Sequence, residues 1–313
     1  MSDLGRLGKP KRQTCCFINT ANKMKIVLGP ASTQLGKEIV NILKVEAVPV
    51  AFKTFPDGEN YVRLEGQVKK EDVAIVQTTS PPQDSRLMQL ALIADSAKRN
   101  GAKRIIAVVP YLAYARQDRI FLQGEAISAE TIARMLKAAG VERMITVNVH
   151  QDKVLLRFPF PAKSVSAIPL LAGYFVKKGY AKAFALSPDE GAVHIAKEAG
   201  NILGGEYGYL EKSRNRYTGR VSMAKKTLDV RRKTVIVFDD IISTGGTIIA
   251  AAKILQELNP ENICVACVHP LLIGEAEKLI REAGVGEIVG TDSVPSSVSK
   301  VSLAPVISKA LTR

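Results

Sequence analysis

The 313-residue chain has no tryptophan, and aromatic residues make up only 5% of it. No stretch interleaves aromatic with basic side chains, so a single-strand nucleic-acid platform is not expected. No run of about eighteen apolar residues occurs, which excludes a transmembrane helix. Cysteines number four. Cys15 and Cys16 are adjacent, and Cys264 and Cys267 form a C-x-x-C within the apolar stretch Ile263 to Val268. Strand side chains alternate between faces, so that pair reads as two core thiols rather than a zinc or redox pair. The chain is therefore expected to be cytoplasmic. Acidic residues are outnumbered, 30 against 44 Lys and Arg, for a net charge of +14. Such an excess favours acidic partners, and charge alone does not choose among polyphosphates, nucleic acid and membrane surfaces. The length suits one large or two medium domains with a substantial core.

One stretch organises the rest: Thr234-Val-Ile-Val-Phe-Asp-Asp-Ile-Ile-Ser-Thr-Gly-Gly-Thr247. Val235 to Phe238 read as a buried strand. Asp239 and Asp240 follow at its C-terminal edge, then a hydroxyl-rich turn, then an alanine-rich helix from Ile248 to Leu258. Strand, glycine turn and helix N-terminus together form an anion site, with backbone N–H groups and the helix dipole converging on a phosphate. Ser243, Thr244 and Thr247 add hydroxyl donors, and Gly245 and Gly246 allow close approach. The two acids suit sugar hydroxyls or a bound Mg2+ beside that phosphate. No Gly-Lys-Ser/Thr follows, so this is not a Walker loop.

Residues 1–23 are basic, lack helical or strand periodicity, and are expected to be a disordered extension; Met24 is a candidate natural start. From Lys25 onward, apolar strands alternate with helices. Strands are expected at Lys25–Gly29, Ala47–Phe52, Asp72–Gln77, Arg104–Pro110 and Met144–Asn148. Helices are expected at Asp84–Arg99, from a Ser32 cap to Leu43, and at Ser128–Ala139 with Ser128 as cap. Past Phe158-Pro-Phe-Pro161 the pattern restarts, with strands at Ala183–Leu186, Val235–Phe238, Ile263–Val268 and Glu287–Val289. This implies an α/β chain of two halves, 24–161 and 162–313, each a parallel sheet flanked by helices. No exact sequence repeat marks a duplication.

Other candidates lie at strand ends or turns. Phe55-Pro-Asp-Gly-Glu59 is a hairpin signal. Arg116 and Gln117, in Tyr114-Ala-Arg-Gln-Asp118, follow a strand end where ligands bind in such sheets, and can hold phosphate and a base edge. A solvated charged loop explains them equally. His150 ends a strand too, a place that suits metal or phosphate. Asp189 can cap a helix or hold Mg2+. Lys212 and Arg214 lie on a basic, polar segment that reads either as a solvated ribbon or as a cationic flap closing on polyphosphate.

Together and in this order, these pieces resemble the ribose-phosphate pyrophosphokinases, from about Met24 to the C-terminus. The resemblance implies two type I phosphoribosyltransferase-like halves. It also implies transfer of the β,γ-diphosphoryl group of ATP to the C1 hydroxyl of ribose 5-phosphate, with Mg2+ as cofactor. On that resemblance, Phe55, Asp57 and Glu59 contact adenine from a neighbouring subunit of a homo-oligomer, and Arg116, Gln117 and Asp118 serve ATP. His150 and Asp189 hold the metal, and Lys212 and Arg214 stabilise the transition state. Asp239 and Asp240 bind the ribose hydroxyls, and Ser243, Thr244, Gly245, Gly246 and Thr247 bind the 5-phosphate. No nucleic-acid or membrane partner is implied. Two departures stand out: Ser243 replaces an Asp common among relatives, and Arg119–Ile127 carries one basic residue where bacterial and animal forms carry more. The chain thus leans toward an archaeal-like form, without the phosphate and ADP control tied to that region.

Overall fold

Valine, isoleucine and alanine crowd the central strands, and β-branched chains lose little on an extended, pleated backbone. The computed structural model describes residues 24–214, 221–224 and 228–312, with backbone alone at 211–214 and 221–224. The expected extension, 1–23, and the Cys15–Cys16 pair lie outside the described residues.

The N-terminal half runs β1 (Met24–Leu28), α1 (Thr33–Leu43), β2 (Glu46–Val48), β3 (Val50–Thr54), β4 (Asn60–Leu64), β5 (Asp72–Val76), α2 (Gln83–Arg99), β6 (Arg104–Val109), α3 (Ser128–Ala138), β7 (Arg143–Val147) and β8 (Ala162–Val165). Then come α4 (Ile168–Lys177), β9 (Phe184–Ser187), α5 (Val193–Leu203), β10 (Tyr207–Tyr209), β11 (Glu211–Arg214), β12 (Val221–Ala224), β13 (Thr234–Ile242), α6 (Gly246–Glu257), β14 (Asn262–Pro270), α7 (Ala276–Glu282), β15 (Glu287–Thr291), β16 (Ser299–Val301) and α8 (Ala304–Leu311).

Two six-stranded sheets result, ordered β2-β1-β5-β6-β7-β8 and β10-β9-β13-β14-β15-β16. Every pairing within them is parallel. Renumbered within each half, both orders read 2-1-3-4-5-6. Each half also inserts an antiparallel ribbon between its second and third sheet strands, β3–β4 in one and β11–β12 in the other. The topology is duplicated although the sequence shows no repeat.

Strand alternation divides each sheet between two apolar layers. In the first sheet Val73, Ile75, Ile105 and Ala107 face α2 and α3, whereas Ala74, Val76, Ile106 and Val108 face the other way. That second face joins one continuous layer with Ala185, Ile236, Phe238 and Ala266 of the second sheet, filled by residues of α1, α4, α5 and α8. Cys264 lies in this shared layer and Cys267 on the opposite face, against α6. The expected splitting of the C-x-x-C pair is what the strand imposes. Both thiols are buried and free.

Several expectations need correction. The strand expected at Ala47–Phe52 is cut at Pro49, which has no N–H for a ladder; β2 joins the sheet and β3 leaves it for the ribbon. Ser32 stands at the start of α1 but makes no cap; its hydroxyl instead accepts the Thr78 N–H at 2.8 Å. Ser128 is already helical, with Ile127 before it. The strand Ala162–Val165, assigned by sequence to the C-terminal half, pairs with β7, so the first sheet extends past residue 161. Phe158 and Phe160, within the half expected to end at 161, pack into its outer layer.

Candidate active site

Strand β13 carries its acids further into the sheet than sequence suggests. It continues through Asp239 and Asp240 to Ile242, paired with β14 to the end. Its other neighbour, β9, is paired only from Val235 to Val237. One edge of β13 is thus open where the two acids stand. Helix α5 leaves β9 toward the shared layer and α6 leaves β13 toward the opposite face. This is the topological switch point, where open α/β sheets bind their ligands.

The turn after β13 is shaped by Gly245, whose φ of 80° is left-handed and whose added Cβ would come within 3.0 Å of Ile280. Helix α6 starts at once, aiming its first turn at a cavity of about 480 Å3 lined by Ser243 through Thr247, Asp239 and Arg116. All five expected phosphate-loop residues line this one cavity. A second cavity, about 400 Å3, gathers His150, Asp189, Asp239, Asp240, Thr247 and Arg116. A third, also about 400 Å3, is lined by Tyr111, Tyr114, Arg116, Gln117, His150 and His269, among others. Arg116 borders all three.

The electrostatics follow from burial and pairing. Burial, then the charge of Asp240, lifts Asp239 well above the ordinary carboxylate range. Its Oδ1 accepts the Asp240 N–H at 2.9 Å. Burial also acts to raise Asp240, but the hydrogen bond and charge of His150 outweigh it and hold that carboxyl low. His150 Nδ1 lies 2.8 Å from Asp240 Oδ2, and this bond chiefly raises the imidazole. A side chain of the first half thereby grips an acid of the second.

The remaining expected residues divide. Asp189 Oδ1 accepts the Ala192 N–H at 3.3 Å, and the same carboxyl lines the cavity with His150, so capping and site placement coexist. Gln117 lines the third cavity, yet its amide also donates to Glu125 at 3.2 Å. Asp118 lines none of the three and lies 3.9 Å from Arg119. Phe55, Asp57 and Glu59 cap the β3–β4 ribbon, exposed and outside all three cavities. Lys212 and Arg214 lie on β11, opposite Met223 and Val221 of β12; their side chains are outside the described residues. Tyr111 and His269 are cavity residues that the sequence reading missed. Tyr111 directly follows Pro110 at a strand end, which was a usable signal.

Among the described residues no group of three or more His, Cys, Asp or Glu side chains is arranged to grip a metal unaided. Mg2+ needs no such cage: it retains waters and binds through one or two carboxylates plus substrate phosphates. Asp189 offers one such carboxylate in the second cavity, beside His150, for an ion that arrives with a polyphosphate. No helix among the described residues is long and apolar enough to cross a membrane.

Comparison with known proteins adds an independent line. The N-terminal domain of ribose phosphate pyrophosphokinase matches residues 24–140, and the phosphoribosyl transferase domain matches 170–289. The ribose-phosphate pyrophosphokinase of Methanothermobacter thermautotrophicus is 40% identical over 277 residues, 88% of this chain and 96% of its own. That of Saccharolobus solfataricus is 39% identical over 272 residues, 87% and 93% of the two chains. The crystal structure of phosphoribosylpyrophosphate synthetase from Mycobacterium smegmatis matches with a TM-score of 0.82 and 30% identity, covering 93% and 98%.

Proposed function

The chain belongs to the ribose-phosphate pyrophosphokinase family, and from that membership we infer that it moves the β,γ-diphosphoryl group of ATP to the C1 hydroxyl of ribose 5-phosphate. The products are phosphoribosyl pyrophosphate and AMP. The observation that carries this reading onto the present residues is that three neighbouring cavities share Arg116 and Ile241 in their walls. A phosphate turn, a pair of acids and a strand-end nucleotide cleft adjoin one another, as transfer between two bound phosphate esters requires.

In this reading Ser243 to Thr247 take the 5-phosphate at the start of α6, and Asp239 and Asp240 accept from ribose hydroxyls. A hydroxyl donor or a cation at Asp239 would favour the ionised form that burial and Asp240 disfavour. ATP occupies the cleft of Tyr111, Arg116 and Gln117, with Asp118 behind it through its contact with Arg119. His150 and Asp189 hold Mg2+ on the polyphosphate; the ion supplies charge neutralisation and alignment of the phosphates. Lys212 and Arg214 meet the charge that grows on the leaving side. Phe55, Asp57 and Glu59 serve the adenine site of a second copy in a homo-oligomer, which suits a hairpin tip so far exposed and unused in its own chain. An ATP-dependent reaction fits a cytoplasmic setting.

Incubating the protein with ATP, Mg2+ and ribose 5-phosphate should release AMP in step with phosphoribosyl pyrophosphate. Consumption of added phosphoribosyl pyrophosphate in the presence of a free base, without AMP release, would identify a phosphoribosyltransferase instead.

A further inference from the structure

His269 is the penultimate residue of β14 and is 2% exposed. A neutral imidazole carries one N–H. Its Nε2 lies 3.0 Å from the Val147 carbonyl oxygen, which can only accept, so the proton is on Nε2. Nδ1 is then an acceptor, with Ser293 Oγ 2.9 Å away. Ser293 Oγ also approaches the Val268 carbonyl to 2.7 Å, but one hydroxyl proton cannot serve both. An unprotonated Nδ1 needs the Ser293 proton, and the Val268 carbonyl still keeps a donor in Thr291 Oγ1 at 2.7 Å. Burial pushes the imidazole down to about 4, in keeping with a neutral ring.

This proton chain crosses between the halves. Val147 ends β7 in the first sheet; His269 and Ser293 come from the second. Thr78, just past β5, completes the link by donating to the Ser293 carbonyl at 2.6 Å. The His269 ring meets Tyr111 edge-on, centroids 5.1 Å apart, and both line the nucleotide cavity. Val147 directly precedes Asn148, which has a left-handed φ of 35° and stands two residues before His150. The Asn148 side chain is itself fixed, Oδ1 accepting the Ala167 N–H at 2.7 Å.

We infer that His269 is a positioning residue for the transfer. From the second half it fixes the Val147 carbonyl and Tyr111 of the first, and so sets the nucleotide cavity against the ribose-phosphate turn. The inference rests on reading that cavity as the ATP site. Misplacing reactants by about an ångström typically costs on the order of a hundred-fold in rate.

Two variants test it. His269→Phe keeps a ring beside Tyr111 but leaves the Val147 carbonyl without its donor; His269→Gln can offer an N–H again. For His269→Phe, KM for ATP should rise and kcat fall by about ten-fold each, with KM for ribose 5-phosphate within about two-fold, the scale of one lost buried hydrogen bond. His269→Gln should recover most of that. Should His269→Phe fail to fold, Ser293→Ala removes only the donor to Nδ1 and should shift the same ATP parameters by about three-fold. Unchanged ATP parameters, equal changes for both substrates, or a folded Gln variant no better than Phe would overturn the inference. A native enzyme that releases no AMP would remove the functional reading and the inference with it. Native turnover with insensitive variants removes the inference alone.

Discussion

Single residues carry the sharpest tests. If Lys212 meets charge that appears only in the transition state, Lys212→Ala should lower kcat by about a hundred- to a thousand-fold while both KM values change far less. Thr247→Ala, in the phosphate turn, should instead raise KM for ribose 5-phosphate; steady-state kinetics with separately measured binding distinguishes the two. A near-normal kcat in Lys212→Ala would leave that side chain as solvated surface. Asp292 offers a test of stability. Burial raises its carboxyl to about 6, although Oδ1 accepts the Leu303 N–H at 2.8 Å. A carboxyl with a folded value above its unfolded one holds its proton more tightly when folded. Its ionisation cost is therefore absent below about pH 4, grows through the interval, and is complete above about 6. Asp292→Asn keeps the acceptor oxygen without the charge. It should match the native protein near pH 4 and exceed it by up to about 3 kcal/mol at pH 7.5, as measured by urea unfolding at both values.

At the scale of elements, the ribbon β3–β4 and the strand β13 tell different stories. Phe55, Asp57 and Glu59 sit on an exposed tip, away from the cavities of their own chain. Mixing Phe55→Ala subunits with Asp240→Asn subunits should then restore part of the activity that each lacks alone, because some mixed sites are intact on both sides. No recovery in verified mixed oligomers would confine the tip to another role. Much of this was legible in the sequence. The apolar runs and the Ser243–Thr247 turn announce a strand, a phosphate site and a helix through local chemistry alone. The reach of β13 through Asp239 and Asp240 was not legible, because it is set by β14 pairing on to Ile242 after β9 has stopped, a tertiary matter. Ser32 was misread for a similar reason: a serine before a helix looks like a cap, but a neighbouring strand end claimed its hydroxyl. His269 has no local signal: the expected strand stops at Val268, one residue short of it, whereas β14 runs on to Pro270. Its partners, Val147 and Ser293, lie 122 and 24 residues away.

At the scale of the molecule, one topology has been used twice to different ends. In the second half the crevice between the first and third sheet strands opens into the cavity that gathers Asp189, Asp239 and Asp240. In the first half the equivalent strand ends are bridged by their own side chains. Gln77 Oε1 accepts the Ala31 N–H at 3.0 Å, Ser32 accepts from Thr78, and a Cβ on Gly29 would come within 2.3 Å of Gln77 Oε1. The halves are not separable bodies. Helix α8, at the end of the chain, packs against α1 and β8 of the first half, and Lys163 Nζ donates to the Ala310 carbonyl at 2.8 Å. Ile307, fully buried in the shared layer, should cost about 2–5 kcal/mol on replacement by Ala. A layer common to both sheets has a further consequence for cooperativity: neither sheet can melt without stripping the other's cover, so heat and denaturant should find one transition. The chain's lack of tryptophan makes this easy to see. Phe160→Trp reports on the first half's outer layer and Phe184→Trp on the second's. Each in turn should give the same urea midpoint as circular dichroism of that same variant, and Ile307→Ala, added to either, should lower both signals together. Two separated midpoints would mean that the shared layer parts before the sheets do.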